Sequence, residues 1–107
     1  MALLGHEVAL QVVTALGPLV PRIARQDRNL AQQLRRAASS VVLDIAEAEP
    51  SDPGTKRARF HSAAGSANET RSAIRLATAW RHLREEQVRS CLAGLDQVVA
   101  MPWRLTH

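Results

Sequence analysis

The chain has 107 residues, 46% of them hydrophobic and 22% charged, with one Phe, two Trp and no Tyr. That length suits one domain, and that balance of apolar and charged residues excludes a disordered chain. The formal charge is +4, thirteen of the fourteen basic residues are Arg, and the lone Cys91 excludes an internal disulfide and a cysteine-based zinc framework.

The first predicted helix covers about 4–25, where Val8, Val12, Leu16, Leu19 and Ile23 recur at helical spacing. Pro18 and Pro21 interrupt it, because a proline removes a backbone donor and clashes with the preceding turn. A kink or break is therefore expected near Pro18. The second helix is predicted over 28–48, on the stripe Leu30, Leu34, Ala37, Val41 and Ile45. Its start lies near Asp27 or Asn29, and Asn29 with Gln32 fits a capping box. Pro50 closes it. The segment Glu49-Pro50-Ser51-Asp52-Pro53-Gly54 reads as a loop. Asp52 suits a cap with Pro53 at the first helical position, and Thr55 competes with it.

The third helix is predicted over 54–82, with Ile74, Leu76, Ala77 and Trp80 continuing its apolar side. The fourth covers 85–101, on Val88, Leu92, Leu95 and Val99, with Pro102 ending or disrupting it. Glu85 and Glu86 suit the positive end of its dipole. Four amphipathic helices with short connections imply an all-α, antiparallel up-down-up-down four-helix bundle in a single domain, 1–107. No apolar run approaches the ~20 residues that span a bilayer, and the N-terminus lacks signal-peptide character. The expectation is a cytoplasmic protein with no membrane role.

Charge is not spread evenly. Residues 55–84 hold Lys56, Arg57, Arg59, Arg71, Arg75, Arg81 and Arg84 against Glu69 alone, a balance of +6. Arg57, His61, Ala64, Asn68, Arg71, Arg75, Thr78 and His82 follow one another by four and three residues in alternation, which is one helix face. Such a face can neutralise a phosphate backbone, and Lys56, Arg57, Arg59, Arg71, Arg75 and His82 are the candidate nucleic-acid-binding residues. A solvated charged surface gives the same pattern. The stripe carries no base-stacking aromatic, so shape and backbone contacts should outweigh sequence readout.

Catalytic chemistry finds little support. No His has an acid three positions earlier, as a di-metal bundle site requires, and His82 precedes Glu85 in the reverse order. Glycines are isolated, so no phosphate loop exists. Cys91 lies beside an apolar stripe, where a buried structural thiol is the usual reading. No catalytic residue, metal or cofactor is assigned, and no enzyme is expected. Glu69, read as lying at the edge of the third helix's core side, wants a cation, and Arg35 or Arg36 on the second helix can supply it, with Arg36 the expected structural partner, within or between subunits. Leu43 points away from its helix's apolar stripe. With Trp103 it marks a candidate oligomer interface.

Two motifs resemble a known family. Leu34-Arg35-Arg36-Ala37-Ala38-Ser39-Ser40 with Asp44-Ile45-Ala46-Glu47-Ala48 is the first, and Arg59-Phe60 with Ala64-Gly65-Ser66-Ala67-Asn68-Glu69 is the second. Together they resemble the bacterial four-helix-bundle family first noticed in intervening sequences of large-subunit ribosomal RNA genes. Asp44 stands where the family usually has Asn, Ala48 where it has Gly, and Val42 in its usual Pro region. The resemblance implies a homo-oligomeric ring, commonly a pentamer. Some relatives are accessory proteins of diversity-generating retroelements, which implies nucleic acid and a reverse transcriptase as partners. A scaffolding module with a protein partner is the competing expectation.

Overall fold

Five helices build the molecule: α1 (Ala2–Leu16), α2 (Val20–Gln26), α3 (Arg28–Ala48), α4 (Pro53–Ala79) and α5 (Glu85–Thr106). This computed structural model describes the backbone of residues 2–106 and the side chains of residues 5–100. No strand occurs among the described residues, so the chain is all-α.

The count differs from the expected four because the first predicted helix is two. Gly17, Pro18 and Leu19 form a turn, in which the Leu19 amide donates to the Leu16 carbonyl at 2.9 Å. α1 and α2 meet there at 49°. The bend keeps one apolar surface on the core: Val12, Leu16, Leu19 and Ile23 are all buried across it. No single described helix is long and apolar enough to cross a membrane.

Asp27 serves both α2 and α3. Its amide donates to the Ile23 carbonyl at 2.7 Å, and its carboxylate accepts from the Leu30 amide at 3.0 Å. It takes the cap from Asn29, which lies inside α3. An extended residue must precede a helix to aim its side chain at the free amides, and Asp27 has φ −153° and ψ 93°. At α4 the Asp52 carboxylate accepts from the Thr55 amide at 2.9 Å and from the Thr55 hydroxyl at 3.0 Å, with Pro53 in the first turn. Those hydrogen bonds, the amide first, hold the Asp52 carboxyl below its ordinary range.

α4 stops at Ala79 rather than His82. The His82 amide donates to the Ala77 carbonyl and the Arg81 amide to the Thr78 carbonyl, both at 2.9 Å. This Schellman-type closure needs a left-handed residue, and Arg81 supplies it at φ 65°. α5 begins where the Gln87 side chain accepts from the Arg84 amide at 2.9 Å. It continues through Pro102 to Thr106, beyond the expected end at 101. A proline bends a helix and deletes one hydrogen bond without having to end it.

The core collects side chains from all five helices, with Ile23, Leu34, Val41, Phe60, Ile74 and Leu95 among the largest wholly enclosed. α3 and α4 share the most extensive contact, and α5 packs between α1 and α4. Asp44 meets Ser62 and Glu47 meets Arg59, so the α4 partner falls by three as the α3 residue rises by three. Where α1 crosses α5 the backbones come close: a Cβ on Gly94 would lie 2.6 Å from Val12 Cγ2. Leu76 and Trp80, expected on the apolar side of α4, are instead 47% and 65% exposed. They sit on the outer side of the helix, away from Ile74 and Ala77, which are buried.

Candidate nucleic-acid interface

α4 divides its circumference by residue size and charge. Phe60, Ala63, Ala67, Thr70, Ile74 and Ala77 form the buried side. Thr70 is the single buried polar residue described, and its hydroxyl is satisfied by donating to the Ser66 carbonyl at 2.7 Å. The run of alanines lets α4 lie close to its neighbours, while the long cations are left on the flanks.

The six candidate cations do not form one patch. Arg59 turns toward α3, where it meets Glu47 at 3.1 Å and Asp44 at 3.9 Å. Asp44 is held from the other side by the Ser62 hydroxyl at 2.9 Å. Arg71 turns toward α5 and pairs with Asp96 at 3.2 Å. Lys56, Arg57 and Arg75 make no ion pair among the described residues. Arg57 and Arg75 are exposed, and Lys56 is half-buried. His82 lies past the end of α4, half-buried in the turn to α5. The structure thus separates Arg59 and Arg71, engaged with carboxylates, from Lys56, Arg57 and Arg75, which have no carboxylate partner among the described residues.

The remaining candidates fall elsewhere. Arg36 and Glu69 are both exposed, and no ion pair joins them within the chain. Glu69 is therefore on the outer side of α4, not at the core edge. Two residues past Ala67 and one before Thr70, both buried, Glu69 is rotated about 200° and about 100° from them around the helix, which carries it off the core side. Leu43 is 57% exposed on α3. The side chain of Trp103 lies outside the described residues. Cys91 is buried, and burial pushes its thiol pKa up.

One cation escaped the sequence reading. Arg89, on α5, flanks a groove of about 440 Å³ that Arg75 flanks from α4. Residues 85–107 carry a net charge of −1, and that average concealed an arginine placed beside the basic helix. Its only signal was the spacing of four from Glu85.

The profile of the 23S rRNA-intervening sequence protein family matches residues 5–103, nearly the whole chain. The chain belongs to that family. A solved structure from Bacteroides thetaiotaomicron VPI-5482, a protein with unknown function from the S23 ribosomal protein family, superimposes with a TM-score of 0.86. It is 17% identical, and the match covers 95% of this chain and 97% of the other. At that identity the likeness speaks for the fold alone. Among curated proteins none matches this member of the 23S rRNA-intervening sequence family. Both motifs quoted from the sequence, on α3 and α4, fall within the matched span.

Proposed function

We propose that this family member is a non-enzymatic, oligomeric helical protein that binds nucleic acid through the cations of α4. The observation that carries the reading is the excess of cations on α4 over the carboxylates that reach them. α4 itself contains five basic residues, Lys56, Arg57, Arg59, Arg71 and Arg75, and one acidic residue, Glu69, and Lys56, Arg57 and Arg75 remain outside any described ion pair. Unpaired guanidinium groups release counterions when they meet phosphates, which is the sequence-independent part of the affinity. Arg59 and Arg71 contribute less, because a phosphate must first compete with Glu47 or Asp96.

The scaffold of this reading is an antiparallel four-helix bundle in which α1 and α2 together make the first member. The falling register of Asp44–Ser62 and Glu47–Arg59 supports opposite directions for α3 and α4. Subunits assemble as a ring, a pentamer by family resemblance, with Arg36 and Glu69 available to pair between copies and Leu43 at the contact. A nucleic-acid enzyme such as a reverse transcriptase is the protein partner that the resemblance implies.

Titration of the full chain against RNA and duplex DNA at several salt concentrations tests the binding. Affinity should fall steeply with salt, and Arg57→Gln/Arg75→Gln should weaken it. Absence of binding at low salt overturns the reading. Light scattering tests the assembly, and the mass of a single chain overturns the ring.

A second reading has its own support. Leu43, Leu76 and Trp80 expose large apolar surface, which suits a protein-interaction module. Capture of a partner that survives nuclease, by a chain that binds no nucleic acid, favours this reading.

A further inference from the structure

Arg75 and Arg89 face one groove from two helices. Its floor is apolar, from Val88 and Leu92, while Thr78 and Glu85 line its sides. Both arginines are exposed, and neither makes an ion pair among the described residues. Glu85 is only four residues from Arg89 on the same helix, yet the two do not come within ion-pair distance. One turn further along α4, Arg71 is paired with Asp96 of α5. The same helix seam therefore holds a neutralised arginine next to an unneutralised pair.

Two like charges beside one concavity repel each other. An anion placed between them removes that repulsion and gains charge-assisted hydrogen bonds from both. The turn that closes this end of the seam is also unusual, because Arg81 occupies its left-handed position at φ 65° where glycine is the unstrained choice. Another large groove, at the α1–α2 bend, has one cation, Arg35, and one polar residue, Ser39, among mainly apolar neighbours, and lacks such a pair.

We infer that the α4–α5 groove is a phosphodiester-binding subsite, in which Arg75 and Arg89 clamp one phosphate of a nucleic-acid strand over the Val88–Leu92 floor. This rests on the nucleic-acid reading above and adds a residue of α5 to it. The apolar floor takes the face of the adjoining sugar or base, and the groove's size suits one nucleotide unit. Glu85 opposes the bound phosphate. Its removal should tighten binding, a sign opposite to that of the arginine variants.

The test is fluorescence anisotropy of a labelled single-stranded RNA of mixed sequence with the full chain, over a range of salt. Arg75→Gln and Arg89→Gln each weaken binding about tenfold, the loss of one charge-assisted contact. Each also lowers the salt slope by about 0.7. Glu85→Gln tightens binding about twofold. Arg35→Gln, which removes a cation that lines the other groove and not this one, has a smaller effect than Arg89→Gln. Equal losses from Arg35→Gln and Arg89→Gln overturn the groove and leave net charge as the cause. A chain that binds RNA while Arg75→Gln and Arg89→Gln bind as tightly as the parent also overturns the groove, with the nucleic-acid reading intact. No binding by the parent chain at low salt overturns both. All three groove positions are exposed, and circular dichroism establishes that each variant is folded.

Discussion

Gly94 and Gly65 are both helix residues, and the same substitution should move stability in opposite directions at the two. At Gly94 a new Cβ would meet Val12 Cγ2 at 2.6 Å and Val8 Cγ1 at 3.6 Å. Valine is stiff at its single side-chain torsion, so the helices must part. Overpacking of this kind costs about 1–3 kcal/mol. The helix-propensity gain of Ala offsets about 1 kcal/mol of that. Gly94→Ala should therefore lower the melting temperature. At Gly65 nothing lies within 4 Å of the new atom, and Gly65→Ala should raise stability by about 0.5–1 kcal/mol in the single chain. Thermal denaturation monitored by circular dichroism compares the two. Neither outcome is legible in the sequence, where both glycines are merely isolated; the difference lies in what α1 brings to α5. Cys91 was readable, since its place beside an apolar stripe foretold burial. Its raised pKa keeps the thiol neutral in the fold, whereas the unfolded thiol ionises near 9.0. Stability is thus undiminished below that pH and declines as pH rises above it. Alkylation of Cys91 should be slow in the native protein and fast in denaturant.

Periodicity located the helices well, because a 3.6-residue repeat of apolar side chains survives any packing arrangement. It located faces less well. On α5 the expected stripe was Val88, Leu92, Leu95 and Val99, while the buried row is Val88, Cys91, Leu95 and Val98. The helix serves two neighbours, α1 and α4, so its buried arc is wide and Leu92 and Val99 flank it. The prolines were informative at the α1–α2 break and less so at Pro102. Charge was the least legible property. Helical spacing alone joined Arg71 to Arg75, and only the placement of Asp96 distinguishes them. A double-mutant cycle on Arg71→Ala and Asp96→Ala should give a coupling of about 0.2–1 kcal/mol, since both side chains remain substantially in contact with solvent. The coupling should shrink in high salt. Zero coupling at low salt would return Arg71 to the unpaired group.

At the scale of the molecule, the all-α fold and the family follow from two motifs on α3 and α4 together with four amphipathic segments. The candidate interface needed coordinates, because pairs such as Arg59–Glu47 and Arg75–Arg89 connect residues that no local pattern relates. The mutual placement of α3 and α4 also bears on the order in which the chain organises itself. They share the most extensive contact in the structure, yet only residues 49–52 separate them. Closing so short a connection loses little chain entropy compared with bringing α1 to α5. The Asp52 cap lies within that connection. The α3–α4 pair should therefore form early, and the α1–α5 seam late. Stopped-flow measurements on Asp52→Ala should show slower refolding with little change in the unfolding rate, while Gly94→Ala should mainly accelerate unfolding. The reverse pattern would place the first organised contact at the α1–α5 crossing. The four-residue link between two long helices is then a kinetic device, which sets where the fold begins.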